Sequence, residues 1–120
     1  MTSIARDSAR SSSARAWLNY DHSGTPSIRD SFNVSTVTDN ATGHFTKNYV
    51  NNMSSANHVI GADGQETGGD GPTSDRYTCM ARGASRISAS SAQFTSGDRT
   101  SPNTARDQDF CLTVSHGDLA

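Results

Sequence analysis

Residues 14–50 of this chain contain three short runs in which apolar and polar side chains alternate, and two clusters of turn-forming residues separate these runs. Alternation with a period of two is typical of a β-strand, because successive side chains point to opposite faces of a sheet. The clusters HSGTP and TDNATGH contain the glycine, proline and Asx residues that tight connections need. The stretch also holds the only tryptophan and two of the three tyrosines. It predicts a β-sheet scaffold rather than a site of chemistry.

Later segments extend this pattern. We predict further strands at residues 57–62, 76–82, 86–95 and 109–116, with a single strand at 28–35 in the first stretch and long polar loops at 63–75 and 97–108. The last strand alternates most regularly, with Phe110, Leu112 and Val114 on one face and Cys111, Thr113 and Ser115 on the other. Short strands about ten residues apart predict an all-β fold, an antiparallel β-sandwich (jelly-roll-like) of about six to eight strands.

The length of 120 residues predicts one domain. We place the single β-sandwich domain at residues 14–120 and an extended N-terminal arm at residues 1–13. The arm has Ile4 as its only large apolar residue after Met1. Two interpretations remain open for it: a flexible segment, or a docking arm that orders on a neighbouring subunit or larger particle through Ile4, Arg6 and Arg10.

The apolar content is low for a globular domain, at 32% with a mean hydropathy of −0.67. Either the chain is partly disordered or its core is completed by other copies of itself. Disordered chains usually carry high net charge or many Pro, Glu and Lys residues. This chain has a net charge of −2, three prolines, one Lys and one Glu. We therefore expect self-association, as a homotrimer that also covers the edges of the sheets.

The charge pattern bears on the class of partner. Scattered arginines form no basic stripe, so we expect no nucleic-acid partner. No apolar run approaches the length of a membrane span, and no signal peptide is evident, so we expect a soluble protein with no membrane partner. Cys79 and Cys111 could pair, but in such a chain we expect two small buried hydrophobic residues.

The sequence contains no clear catalytic or metal-binding pattern. The four histidines lie in turns or near strand ends, and no G-x-S-x-G, HExxH or phosphate-binding glycine loop occurs. Asp107 and Asp109 could suggest a glycosidase pair, but such enzymes rest on much longer chains. The acidic loop at 63–75 does not match a calcium-loop spacing. We expect no catalytic residue, no metal site and no cofactor.

The first stretch also resembles a known family. The segments that carry the resemblance follow one another in this order: Ala14 to Tyr20 (ARAWLNY), Ser23-Gly24-Thr25, Ile28-Arg29, Ser31 to Ser35 (SFNVS), Val37 to Asn40 (VTDN), Thr42-Gly43, Phe45-Thr46 and Asn48-Tyr49. This series resembles a β domain of tail-fibre-like, virion-surface structural proteins of tailed bacteriophages, many of them marine. The resemblance covers about a third of the chain, and the final strand after a polar loop extends it. The chain departs from the family pattern at Lys47, at Ala41 and after Met53, where a proline is missing. Lys47 on an inward-looking face suggests a wet face or a subunit boundary.

The resemblance implies a non-enzymatic virion structural protein, assembled in the host cytoplasm. We expect a trimeric capsid decoration (cement) protein or short head fibre, bound to the major capsid protein or another virion protein. The alternative is a receptor-binding tail-fibre tip that recognises host surface polysaccharide. Trp17 and Lys47 are the candidate interface residues. The candidate recognition residues in the two polar loops are Asp63, Glu66, Asp70, Asp75, Asp98, Arg99 and Asn103.

Overall fold

The computed structural model describes residues 13–65, 77–98 and 104–120. The strands within these ranges are β1 Ala16–Asp21, β2 Ser27–Phe32, β3 Val34–Ala41, β4 His44–Tyr49, β5 Val59–Gln65, β6 Tyr77–Ala81, β7 Ser91–Asp98, β8 Thr104–Ala105 and β9 Phe110–His116. A short 3-10 turn at Ala84–Arg86 precedes β7. The predicted all-β class is confirmed.

The strands form two antiparallel sheets packed as a sandwich. Sheet A has the strand order β2-β1-β9-β5, and sheet B has the order β3-β4-β7-β6, with the two-residue β8 paired to β7. Eight main strands lie at the upper end of the predicted number. Hairpins join β1 to β2, β3 to β4 and β6 to β7 within a sheet, whereas β2 to β3 and β4 to β5 cross between the sheets.

The core lies between the sheets and is centred on aromatic rings. Phe45 and Phe94 stack with their ring centroids 5.2 Å apart, and the Tyr20 ring lies 5.0 Å from that of Phe45. The buried cluster around them comprises Leu18, Tyr20, Phe45, Cys79, Ala92, Phe94 and Cys111. On β1 the side chains of Ala16, Leu18 and Tyr20 share one face and are buried in this core.

Asn33 divides the segment 28–35, which was predicted to be one strand, into β2 and β3. Its backbone has φ of 57°, a left-handed conformation that Asn tolerates better than most residues. The Asn33 side chain donates hydrogen bonds to the carbonyls of Arg15 and Asn51, at 3.0 Å each. The resulting corner moves the chain from sheet A to sheet B.

Three other predicted boundaries are also wrong. The strand predicted at 86–95 begins only at Ser91, because the Ser88 side chain accepts hydrogen bonds from the backbone N–H groups of Ser90 and Ser91 and forms a turn. The loop predicted at 97–108 contains the end of β7 and all of β8. The loop predicted at 63–75 begins inside β5, which includes Asp63.

The last strand, β9, has the predicted alternation, with its more polar half in the interior. Cys111, Thr113 and Ser115 are at most 4% exposed, whereas Phe110 and Leu112 are 36% and 41% exposed. The interior of the sandwich therefore carries hydroxyl groups, and a row of apolar side chains remains on the outer face of sheet A.

Candidate docking face

Strand pairing brings the outward-pointing apolar side chains of sheet A together. Trp17 of β1 lies opposite Phe32 of β2 on one side and opposite Val114 of β9 on the other. Side chains directly opposite one another share a face of the sheet. The six residues that define this surface, which we call the apolar face, are Trp17, Phe32, Val59, Phe110, Leu112 and Val114.

The apolar face is substantially exposed. Trp17 is 37% exposed, Phe32 54% and Val59 68%. Gly61 of β5 lies opposite Val114 and lacks a side chain, so a shallow groove of about 280 Å³ runs beside Leu112 and Val114. Asn19 of β1 and Asp63 of β5 lie opposite Leu112 on the same face, so the apolar side chains stand among polar ones. Exposed large apolar side chains clustered on one face are typical of an interaction site.

Charged groups border the apolar face at the start of β9. The Arg29 guanidinium lies 4.3 Å from the centre of the Phe110 ring, a favourable cation–π distance. The same side chain donates to the Asp109 carbonyl and lies 3.2 Å from a carboxylate oxygen of Asp21. Charged groups therefore lie beside the apolar side chains of this face and, at Asp63, between them, a mixture that protein interfaces commonly contain.

The outer surface of sheet B has the opposite character. Its register places these residues on that surface, which we call the polar face: Thr36, Thr38, Thr46, Asn48, Gln93 and Thr95. Asn48 donates to the hydroxyls of Thr36 and Thr38 at 3.1 Å each. Met80, 51% exposed, is the large apolar residue of this surface. The molecule therefore has one face suited to burial and one suited to water.

A second depression lies at one end of the sandwich. It measures about 410 Å³ and is lined in part by Phe32, Val50 and Leu119. Because Phe32 belongs to both surfaces, the depression is continuous with the apolar face.

Lys47 is buried in the interior, where its ammonium is enclosed by both sheets. Its Nζ donates to Thr113 Oγ1 and to Ser115 Oγ, both at 2.9 Å, and lies 5.3 Å from the centre of the Phe94 ring. Burial lowers the pKa of Lys47 to about 7, an effect that the nearby Cys79 sulfur partly opposes. Lys47 has no exposed surface, and the wet face or subunit boundary predicted around this position stays a prediction.

His22 occupies the other end of the interior. Its Nε2 lies 2.8 Å from Asp39 Oδ1, and its Nδ1 lies 3.3 Å from Asp107 Oδ1. Asp107 also accepts a hydrogen bond from the backbone N–H of Gly43 at 2.7 Å. Both ring nitrogens face carboxylates, an arrangement that ties β1, β3 and residue 107 together. Burial, with Asp39 nearby, raises the pKa of Tyr20 in this region to about 12.

Cys79 and Cys111 are both buried and are free thiols. The hydrogen bond with Cys111 and burial together raise the pKa of the Cys79 thiol, which keeps it in its unreactive form.

The structure locates three of the other predicted site residues. Trp17 lies on the apolar face, Asp63 lies in β5, and Asp98 ends β7. The remaining ones lie outside the described residues: Ile4, Arg6, Arg10, Glu66, Asp70, Asp75, Arg99 and Asn103. Sequence reasoning did not assign Phe32, Val59 or Leu112 to a surface. Bulky residues on both faces of β1 were the available signal for Trp17.

Within residues 13–65, 77–98 and 104–120, no helix has the length and apolar character needed to cross a membrane. Comparison of the chain with protein-family models, curated proteins and solved structures found no match.

Proposed function

We propose that this protein is a non-enzymatic structural component of a bacteriophage virion, a homotrimeric capsid decoration or short head-fibre protein. Three copies associate by turning their apolar faces towards a shared axis, and the trimer binds and stabilises the assembled particle. The contrast between the apolar face and the polar face carries the self-association part of this proposal. The family resemblance of residues 14–49 supports its placement on a virion.

The apolar gain from burying this surface is of the same order as the cost of association. Burying a large apolar side chain completely stabilises by about 1.5–3 kcal/mol. The side chains of the apolar face are already partly covered, so about 1 kcal/mol each is a reasonable value. The total, on the order of 5 kcal/mol per copy, is comparable with the cost of association. The trimer should therefore depend on protein concentration unless the charged rim adds further contacts.

The contacts of two histidines fit a structural role. Both ring nitrogens of His22 face carboxylates. His58 contacts the Tyr49 hydroxyl through Nε2 and the Ser55 carbonyl through Nδ1. His22 Nε2 and both nitrogens of His58 make hydrogen bonds that they would have to leave to act as a general base on a ligand, whereas His22 Nδ1 is buried without a hydrogen bond.

A decoration protein stabilises a shell by mass action, because it binds the assembled form in preference to the open one. Threefold symmetry lets the three copies bind together, which strengthens weak individual contacts. Arg6 and Arg10 of the arm are the proposed contacts to the shell.

Co-sedimentation with empty heads of the phage that encodes the chain tests this function. We expect the protein to pellet with the heads and to raise the temperature at which they open. Leu112→Ser on the apolar face should weaken both effects, whereas Met80→Ser on the polar face should leave them unchanged. Arg6→Ala with Arg10→Ala should weaken head binding and leave the trimer intact. Adsorption to host cells, competed by host polysaccharide and without head binding, would overturn the proposal in favour of a receptor-binding tip.

A further inference from the structure

A continuous chain of hydrogen bonds joins the buried amine of Lys47 to a histidine at the surface. Lys47 Nζ lies 2.9 Å from Ser115 Oγ, which lies 2.9 Å from the Tyr49 hydroxyl. The Tyr49 hydroxyl lies 2.8 Å from His58 Nε2, and His58 Nδ1 lies 3.0 Å from the Ser55 carbonyl oxygen. Lys47 and Ser115 are fully buried and Tyr49 is 6% exposed, whereas His58 is partly exposed. The chain therefore runs from the interior to solvent.

The Ser55 carbonyl fixes the direction of these hydrogen bonds. A carbonyl oxygen only accepts, so His58 Nδ1 carries a hydrogen, and Nε2 of the neutral ring must accept. Tyr49 then donates to His58, Ser115 donates to Tyr49, and Lys47 donates to Ser115. Every hydrogen in the chain points from the interior towards the surface.

Protonation of His58 reverses the whole chain. With a hydrogen on Nε2, the ring donates to the Tyr49 oxygen, Tyr49 donates to Ser115, and Ser115 donates to the lone pair of a neutral Lys47 amine. One proton has left Nζ and one has arrived at Nε2, while each hydroxyl has exchanged one hydrogen for another. The summed charge of the four hydrogen-bonded side chains is the same in both states.

We propose that Lys47, Ser115, Tyr49 and His58 form a proton relay, so that the buried amine and the surface imidazole act as one pH-sensing unit. The lowered pKa of Lys47 means that the amine can release its proton near neutral pH. The groups that face this amine are Thr113 and Ser115 of β9, Tyr49 of its own strand, Phe94 of β7 and the Cys79 thiol of β6.

His58 has further neighbours at the surface end of the relay. Beyond Tyr49 and Ser55, the histidine packs beside Gly117, where an added Cβ would lie 2.8 Å from the His58 Cβ. Arg15 donates to the Gly117 carbonyl at 3.2 Å and is the nearby cation. None of these named neighbours carries a carboxylate, and the hydrogen bonds through Ser115 and Tyr49 connect the amine to the imidazole.

Lys47 is the only lysine in the sequence, which makes the relay directly observable. Lysine labelled with ¹³C at Cε gives a single signal, which can be followed by NMR from pH 5 to 10. We expect this signal to move in two steps about one pH unit or more apart, because the two sites of one relay titrate together. Tyr49→Phe and His58→Gln should each reduce the titration to one step.

His116→Gln is the matched control, since it removes a nearby histidine and leaves the relay in place; it should keep both steps. A single step in the wild-type protein, unchanged by Tyr49→Phe and His58→Gln, would overturn the relay and leave an isolated buried amine. Loss of the second step in His116→Gln would overturn it as well. If the Tyr49→Phe variant fails to fold, its lysine titrates as in a free peptide. The His58→Gln variant, changed at the partly exposed end of the relay, then tests the proposal alone.

Discussion

Lys47 of β4 lies across the sandwich from Ser115 of β9, with Nζ 2.9 Å from Oγ in the fully buried interior. This contact accounts for the orientation of β9. A slip of one residue would carry Phe110, Leu112 and Val114 inside and take both hydroxyl partners away from the ammonium. An unpaired buried ammonium is far more costly than a few exposed apolar side chains. The polar interior and the apolar face are therefore two consequences of one register.

Stability should increase with pH just above neutrality. The folded pKa of Lys47, about 7, lies below its ordinary 10.5, so the unfolded chain binds more protons between these values and the free energy of unfolding rises with pH. Above about pH 8.5, ionisation of Cys79 in the unfolded chain opposes this trend, since the pKa of this thiol is raised when the protein is folded. Between pH 7 and 8.5 the slope should approach about 1.4 kcal/mol per pH unit.

Urea denaturation at a series of pH values measures this slope. Lys47→Met retains the length of the side chain and should remove the dependence. If the free energy of unfolding of the wild-type protein stays constant between pH 7 and 8.5, the buried amine keeps its proton across that interval.

Gly43→Ala should destabilise the fold by about 2 kcal/mol or more. Gly43 has φ of +69°, and an added Cβ would collide with the Ser96 carbonyl and lie 2.8 Å from the Arg106 nitrogen. Gly24 also has positive φ, +55°, but nothing lies within 4 Å of its added Cβ. Gly24→Ala should therefore cost only about 1 kcal/mol of backbone strain. Thermal denaturation of the two variants checks the difference, and equal losses would show that the close contacts at Gly43 relax freely.

Trp17 fluorescence should report self-association. It is the only tryptophan and is 37% exposed on the apolar face, so association should move its emission to shorter wavelength and reduce quenching by iodide. We expect both changes as protein concentration rises. Leu112→Ser should prevent them, and Met80→Ser should not. If the protein associates but the Trp17 emission does not change with concentration, the contact between copies lies outside the apolar face.

Local pattern was enough to predict the sandwich and to group the residues of β1 by face, although both faces carry bulky side chains and the pattern did not say which one is buried. In β1 the larger apolar set, Leu18 with Tyr20, faces inward. The break at Asn33 was missed because the residues on both sides continue the alternation, while the left-handed conformation depends on contacts with Arg15 and Asn51.

The apolar face was harder to foresee. Alternation identifies which residues of β9 share a face, but hydrophobicity would place Leu112 inside. Lys47, more than sixty residues earlier in the chain, reverses that choice through Thr113 and Ser115. Such a long-range effect does not appear in any local pattern. Trp17 was singled out as an interface candidate because both faces of β1 carry bulky residues.

The most direct test of the account is the mass of the full-length protein in solution, measured by light scattering over a range of concentrations. We expect a trimer, and we expect Leu112→Ser to give a folded monomer while Met80→Ser remains trimeric. A wild-type protein that is a folded monomer at every concentration would contradict the claim that the apolar face is buried between copies of this chain.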